Sequence, residues 1–220
     1  MNLEEKYLDL MKMMRIQEKL SKKVVERDDL YLPPSSICGL DVAYNSKYAF
    51  ASAVILSYPS LSFIESVSIK VPISFPYITG LFALRELKPI VMAFKKLHSV
   101  VDVVMVNGHG RAHPRKFGLA CHFGLSLNVP TIGIAKKRLC GVVNYNENIS
   151  KDSFPIYFDN VIVGAAIKKE NNNRQKLYVS IGHRISLRTA VEIVKNCLGP
   201  ENFPKPLRLA DLFSHSLRAI

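Results

Sequence analysis

Two short apolar runs constrain the fold of this chain more than anything else in it. Residues 101–106 (VDVVMV) are apolar except for Asp102, and residues 131–135 (TIGIA) carry no charge. Runs this short and this continuously apolar read as strands buried in the middle of a parallel sheet. A glycine-rich loop and a helix predicted over residues 115–127 separate them. The result is a strand–helix–strand unit, whose crossover is right-handed almost without exception.

Upstream, strands are predicted over residues 37–44, 50–57 and 61–71. Their short connections favour an antiparallel meander. The third strand largely alternates. Leu61, Phe63, Val67, Ile69 and Val71 share one side and Ser62, Ser66, Ser68 and Lys70 the other, while Ile64 and Glu65 break the pattern. A first helix is predicted over residues 3–27, with Leu3, Tyr7, Leu10 and Met14 at helical spacing and Met11 beside them. Pro33 and Pro34 end that region. Pro89 suits the first turn of a helix over 89–98. Later strands are predicted at 156–158, 161–167 and 177–181, the last two flanking the polar turn Asn171-Asn172-Asn173. Ser186 can cap a helix over 187–197, and a proline-rich link leads to a last helix from about Leu207. The reading is an α/β fold: one mixed sheet, an antiparallel meander plus parallel strands, flanked by helices in a single domain over residues 1–220.

Charge narrows the function. Thirty Lys and Arg face eighteen Asp and Glu, a net +12 that favours polyanions, nucleic acid before acidic membranes. The four cysteines, at 38, 121, 140 and 197, form no Cys-x-x-Cys pair, and Cys38 and Cys197 sit in apolar runs as small core residues. With no signal-peptide pattern at its start and no run of 18 apolar residues, the chain is expected to be cytoplasmic, with no membrane partner.

Several residues stand out chemically. Asp41 lies inside ICGLDVAY, where an ionised carboxylate needs compensation that a divalent cation supplies well; a strand-end Asp facing water is the plainer reading. Asn107 ends VVMVN, at the carboxyl end of a strand where ligands bind in open α/β sheets. The stretch NGHGRAHPRK that follows is dense for a plain turn; its backbone amides, with Arg111, Arg115 and Lys116, suit phosphates. His109 and His113 are four apart, but the surrounding Gly108, Gly110 and Pro114 oppose the helix that zinc would need. Tyr77, on a loop with Pro76 and Gly80, suits stacking on or wedging between bases as well as it suits a core. Taken alone, Glu86 reads as a solvated surface carboxylate and Lys136 as a surface lysine.

Together these segments resemble the endonuclease V family, motif by motif in the family's order, from about residue 1 to 217. GLDVAY looks like the first motif, with Asp41 as its aspartate. FPYITGLFALRE looks like the loop that carries the wedge tyrosine, Tyr77, and a catalytic glutamate, Glu86. VNGHGRAHPRKFGLACHFG followed by VPTIGIAKKRL looks like the family's most recognisable block, and YVSIGHRIS and LRLADLFSHSLR fit its C-terminal part. The resemblance implies a ribonuclease H-like fold acting with Mg²⁺, or Mn²⁺ in its place; the chain is expected to be a monomer. It implies DNA and RNA containing deoxyinosine or inosine as partners, cut at the second phosphodiester on the 3′ side to leave a 3′-hydroxyl and a 5′-phosphate. The deaminated base is extruded, which costs less for a mispaired base. Its implied pocket and nucleic-acid contacts are Tyr77, Ile78, Gly80, Arg85, Gly108, His109, Gly110, Arg115, Lys116 and Gly118. Asp41, Glu86 and position 107, with Asp211 as a further carboxylate, are the implied metal set; Lys136 would neutralise the scissile phosphate and His113 position it or assist proton transfer.

One departure from the family pattern matters more than the matches. The family has Asp where this chain has Asn107. An amide keeps the shape and one oxygen but loses the charge, so chemistry is expected to suffer far more than binding. An engineered exchange, a natural variant with altered metal use and a binding-only descendant all produce such a residue. The alternative reading is accordingly a non-catalytic reader of inosine-containing nucleic acid. A structure-selective nuclease on the same architecture would not call for the Tyr77 loop or the His109–His113 block.

Overall fold

A computed structural model describes residues 3–169 and 172–219, with side chains omitted for 3–8 and 169–175. The expected turn at Asn171 and the side chains of Leu3 and Tyr7 lie outside the described residues. The chain runs α1 (Leu3–Ser21), β1 (Ser36–Tyr44), β2 (Tyr48–Ser57), β3 (Phe63–Pro72), α2 (Ala83–Phe94), β4 (Val103–Asn107), α3 (Leu119–Leu127), β5 (Thr131–Ala135), β6 (Val142–Val143), β7 (Ser153–Phe158), β8 (Val161–Lys169), β9 (Asn172–His183), α4 (Leu187–Asn196) and α5 (Lys205–Ala219).

The strands form one mixed sheet in the order β3-β2-β1-β4-β5-β9-β8-β7-β6. The meander β1–β3 is antiparallel, β1, β4 and β5 are mutually parallel, and β9 returns antiparallel to β5. Both central strands are buried apart from the half-buried Asn107; the first starts at Val103, two residues later than expected, because the half-buried Asp102 instead accepts from the Ser35 and Ser36 amides. Helices cover both faces. Alternate residues of β1 and β4 divide between two cores: Ile37, Val103 and Met105 face α4 and α5, while Cys38, Leu40, Val104 and Val106 face α2 and α3. Among the described residues no helix is long and apolar enough to cross a membrane.

Several boundaries differ from expectation, each for a local reason. Helix α1 stops at Ser21, whose hydroxyl donates to the Glu18 carbonyl; the following segment then joins β9 through the Val25 carbonyl, which accepts from the Arg184 amide. Strand β3 starts at Phe63 because Leu61 takes a left-handed conformation at φ 53°, and only Ile69 and Val71 complete the buried alternation. Helix α2 starts at Ala83 rather than Pro89 and carries Pro89 in its interior. Helix α3 starts at Leu119 because residues 108–118 form a loop pinned to β9: the Gly110 amide donates to Ser180 Oγ and the Arg111 amide to the Ile181 carbonyl. Strand β7 begins at Ser153, and its two-residue partner β6 is too short to leave a periodic signal. The cap on α4 is as expected, with Ser186 Oγ accepting from the Thr189 amide at 3.2 Å.

Candidate active site

Strand lengths create the cleft. Residues 37–40 of β1 pair with 103–106 of β4, which ends at Asn107, while β1 continues to Tyr44. Beyond Leu40, β1 therefore lacks a neighbour on that side. The gap opens a cleft of about 480 Å³ lined by Asp41, Val42, Tyr44, Tyr77, Phe82, Arg85, Glu86 and Asn107.

Asp41 and Asn107 follow the last paired residues of two parallel strands and share the α5-facing parity, so their side chains meet. Asn107 Nδ2 donates to Asp41 Oδ1 at 2.9 Å. Asp211 is brought above them by packing. A Cβ on Gly39 would lie 2.3 Å from the Pro206 carbonyl, so only glycine lets the start of α5 lie this close to β1. From Gly39 to Asp41 the strand advances roughly 6.6 Å, and from Pro206 to Asp211 the helix advances roughly 7.5 Å. The two aspartates consequently come together. Burial pushes the Asp41 carboxyl up to about 7; the Asn107 hydrogen bond opposes the rise and the Asp211 charge adds to it.

Glu86 enters from the opposite face of the sheet. Ala83, Glu86, Ile90 and Ala93 recur at helical spacing along the buried side of α2, which carries Glu86 inward. It is 5% exposed, contrary to the surface carboxylate that the residue alone suggested. Tyr44 Oη donates to Glu86 Oε1 at 2.9 Å, and the Arg85 guanidinium lies 4.4 Å over the Tyr44 ring. Burial holds the Glu86 carboxyl well above its ordinary range, the Tyr44 hydrogen bond opposing and the Asp41 charge adding. Tyr44 was missed by sequence reasoning, although it closes the same GLDVAY motif as Asp41.

Among the described residues no three His, Cys, Asp or Glu side chains form a metal-holding group by themselves. With the Asn107 amide added, the donors in and above the cleft are all oxygens in character: Asp41, Glu86, Asp211 and the Asn107 carbonyl. That donor chemistry fits a hard divalent cation. Lys136 follows β5 directly, is exposed, and lies 4.6 Å over the Phe203 ring.

A second cavity lies beside the first, lined by Gln17, Gly80, Phe82, Ala83, His109, His113, Gly118, Leu119 and Leu139. Its volume is about 40 Å³. The 77–82 loop forms one wall and the 108–118 loop another. Tyr77 stands at the entrance, 66% exposed and edge-on to Phe82 at 5.7 Å, while Ile78 is half-buried and its carbonyl accepts from the Leu81 amide. Arg115 Nε donates to Gln17 Oε1, and the Arg115 amide donates to His113 Nδ1, which leaves the His113 proton on Nε2, 3.0 Å from the Gly80 carbonyl. Burial pushes both His109 and His113 down to about 4. Two cations expected to meet phosphate are engaged within the protein: Arg111 pairs with Glu26 at 2.7 Å and Lys116 with Asp159 at 3.5 Å.

An antiparallel meander running into parallel strands, with helices on both faces, places the fold in the ribonuclease H-like class. The Endonuclease V family pattern matches residues 18–212. The endonuclease V of Thermofilum pendens is 40% identical over 202 residues, 91% of this chain and 85% of that protein. The catalytic domain of human endonuclease V superposes with a TM-score of 0.83 at 31% identity, covering 97% of this chain and 96% of that one. Endonuclease V of Ciona intestinalis, in complex with a 24mer DNA containing an inosine followed by a ribo-adenosine, superposes with a TM-score of 0.85 at 29% identity, covering 96% and 98%. The chain belongs to the endonuclease V family.

Proposed function

We propose that this chain binds inosine-containing nucleic acid, with the extruded base in the cavity between the Gly80 and Gly118 loops and the backbone across the Asp41 cleft. The observation that carries the reading is the juxtaposition of these two features: a small, largely apolar slot with Tyr77 at its mouth, sharing Phe82 with an acidic cleft at the ends of β1 and β4. Tyr77 fills the space the base leaves. The Ciona relative's inosine-containing ligand supports the same class of substrate.

Asp41, Glu86, Asp211 and the Asn107 carbonyl would hold Mg²⁺ or Mn²⁺, which when bound activates water and stabilises the leaving oxygen. The chain's own groups do the rest. Lys136 offsets charge on the scissile phosphate, His113 is neutral and positions the base slot through Gly80, and Tyr44 keeps Glu86 in place. Attack is in line, at the second phosphodiester 3′ to the base, leaving a 3′-hydroxyl and a 5′-phosphate. With an amide at position 107 the acidic set is one charge short, so turnover is low while binding persists. That same residue favours the second reading, a non-cleaving inosine reader.

One comparison separates the two: this chain and its Asn107→Asp variant on a strand with a single deoxyinosine, in Mg²⁺, Mn²⁺ or chelator. The proposal expects selective binding by both and much faster metal-dependent nicking by the Asp variant. Equal nicking would remove position 107 from the metal set. No nicking by either would leave the inosine reader.

A further inference from the structure

Of the described side chains of α1, residues 9–21, the one that is buried is polar. Gln17 is 2% exposed, while Ile16 beside it is 52% exposed. A helix docking only by an apolar stripe would reverse the two. Burying an amide is costly unless every group on it is satisfied, and here every group is. Gln17 Nε2 lies 3.3 Å from the Gly80 carbonyl and 3.2 Å from the Phe117 carbonyl, donating to both, and 3.4 Å from His122 Nε2; its Oε1 accepts from Arg115 Nε at 2.6 Å. Gly80 and Phe117 belong to the two loops that wall the small cavity, and Gln17 itself lines it. One carboxamide on a third element thus ties both walls together.

The Gly80 carbonyl is the centre of this network. Gln17, Arg115 Nη2 and His113 Nε2 all approach it. A carbonyl oxygen has two lone pairs, so three donors leave it no capacity to accept from a ligand. Hypoxanthine and adenine differ at the 6 position, an oxo acceptor in one and an amino donor in the other. A free carbonyl on the slot wall would welcome the adenine amino group; an occupied one gives it nothing.

We propose that Gln17 is a positioning residue for base selection: its amide nitrogen clamps the Gly80 and Phe117 walls at a set separation, and its Oε1 holds the Arg115 guanidinium whose Nη2 keeps the Gly80 carbonyl closed to an amino group. The inference rests on the base-slot reading above. Gln17 precedes the family match, which begins at residue 18.

The test uses the full chain and two variants, Gln17→Leu and Gln17→Glu. Leucine removes every polar contact; glutamate keeps the Arg115 partner and loses both donations to carbonyls. Binding is measured in chelator to two strands that differ only in inosine or adenine at one position. Amide hydrogen exchange is followed over residues 77–82 and 113–118. The expected result is at least a fivefold fall in the inosine-to-adenine preference for Gln17→Leu, a smaller fall for Gln17→Glu, which still holds Arg115, and faster exchange in both loops for both variants. Preference retained within twofold by folded Gln17→Leu, whatever the change in melting temperature, would overturn the role in selection. Unchanged exchange in both loops would overturn the clamp. If the unsubstituted chain binds both strands alike, the base-slot reading and selection fail together, and exchange alone decides whether the clamp exists.

Discussion

Asn107 Nδ2 donates a 2.9 Å hydrogen bond to Oδ1 of Asp41, just past the point where the pairing of two parallel strands ends. An aspartate at 107 lacks the amide N–H and places another carboxyl beside Asp41 and Asp211. Losing one partner of a buried hydrogen bond costs about 1–3 kcal/mol, and the like charges add to that. Asn107→Asp is therefore expected to melt below the parent chain in chelator. Saturating Mg²⁺ or Mn²⁺ should narrow or reverse the difference, because a ligand that binds only the folded state stabilises it. Thermal denaturation with and without divalent ion checks both halves, and identical melting in chelator would refute the first.

Acid titration should show two opposing trends. His109, His113 and His122 are held down to about 4 by burial, so the folded state binds fewer protons than the unfolded chain between that value and the usual histidine range. Their contribution makes stability rise with pH across this window. Asp41, pushed up to about 7, binds more protons when folded above the usual aspartate range, so its contribution makes stability fall as pH rises to 7. Glu86, also held above its ordinary range by burial, adds to this second trend, and Asp41→Asn removes the Asp41 share of it. Urea unfolding at pH 4.5, 5.5 and 6.5 (about the window in which both shifts act) should show a steeper gain of stability with pH in the variant than in the parent. Parallel curves would mean that folding does not raise the Asp41 carboxyl.

Gly39 tests the packing that delivers Asp211. A methyl group there would sit 2.3 Å from the Pro206 carbonyl carbon and oxygen, which are backbone and cannot swing aside. Gly39→Ala should destabilise the protein by about 1–3 kcal/mol, the usual cost of overpacking, and shift α5 away from β1. A melting temperature unchanged from the parent would show that α5 is free to move and that the Asp41–Asp211 proximity is not built into the packing.

Tyr77 tests the opposite case, a residue that contributes little to the fold. At 66% exposed its truncation should leave stability within roughly 0.5 kcal/mol. If its ring stacks in the space left by the base, Tyr77→Ala should lose about 1–3 kcal/mol of affinity, roughly 5- to 150-fold, for the inosine strand. Equal affinity of variant and parent in a filter-binding or anisotropy titration would remove Tyr77 from the binding face.

The two central strands, the meander and the family motifs were all visible in the sequence because they depend on near neighbours: period-two or continuous apolar runs, turn residues and motif spacing. Asp41 was noticeable because a charge inside an apolar strand is costly wherever the strand goes. Glu86 was harder. Its helical stripe with Ala83, Ile90 and Ala93 was present, but Pro89 suggested a helix beginning six residues too late and left Glu86 in a loop. Tyr44 and Gln17 were not legible at all. Tyr44 reads as one more aromatic strand residue, and Gln17 as one more polar position on an amphipathic helix, until α2 and the two loops arrive against them.

What the sequence determined by itself was the α/β class, the family and the residues of the candidate site: three carboxylates and one amide. What only the tertiary structure decided was which of these groups meet. Asp41 and Asn107 are joined by strand register, Asp211 by the absence of a side chain at Gly39, and Glu86 by the face of α2 that is buried. The physical reason is range. Propensity and periodicity act over a few residues, whereas the site is assembled from positions 41, 86, 107 and 211, whose proximity depends on packing between elements far apart in the chain.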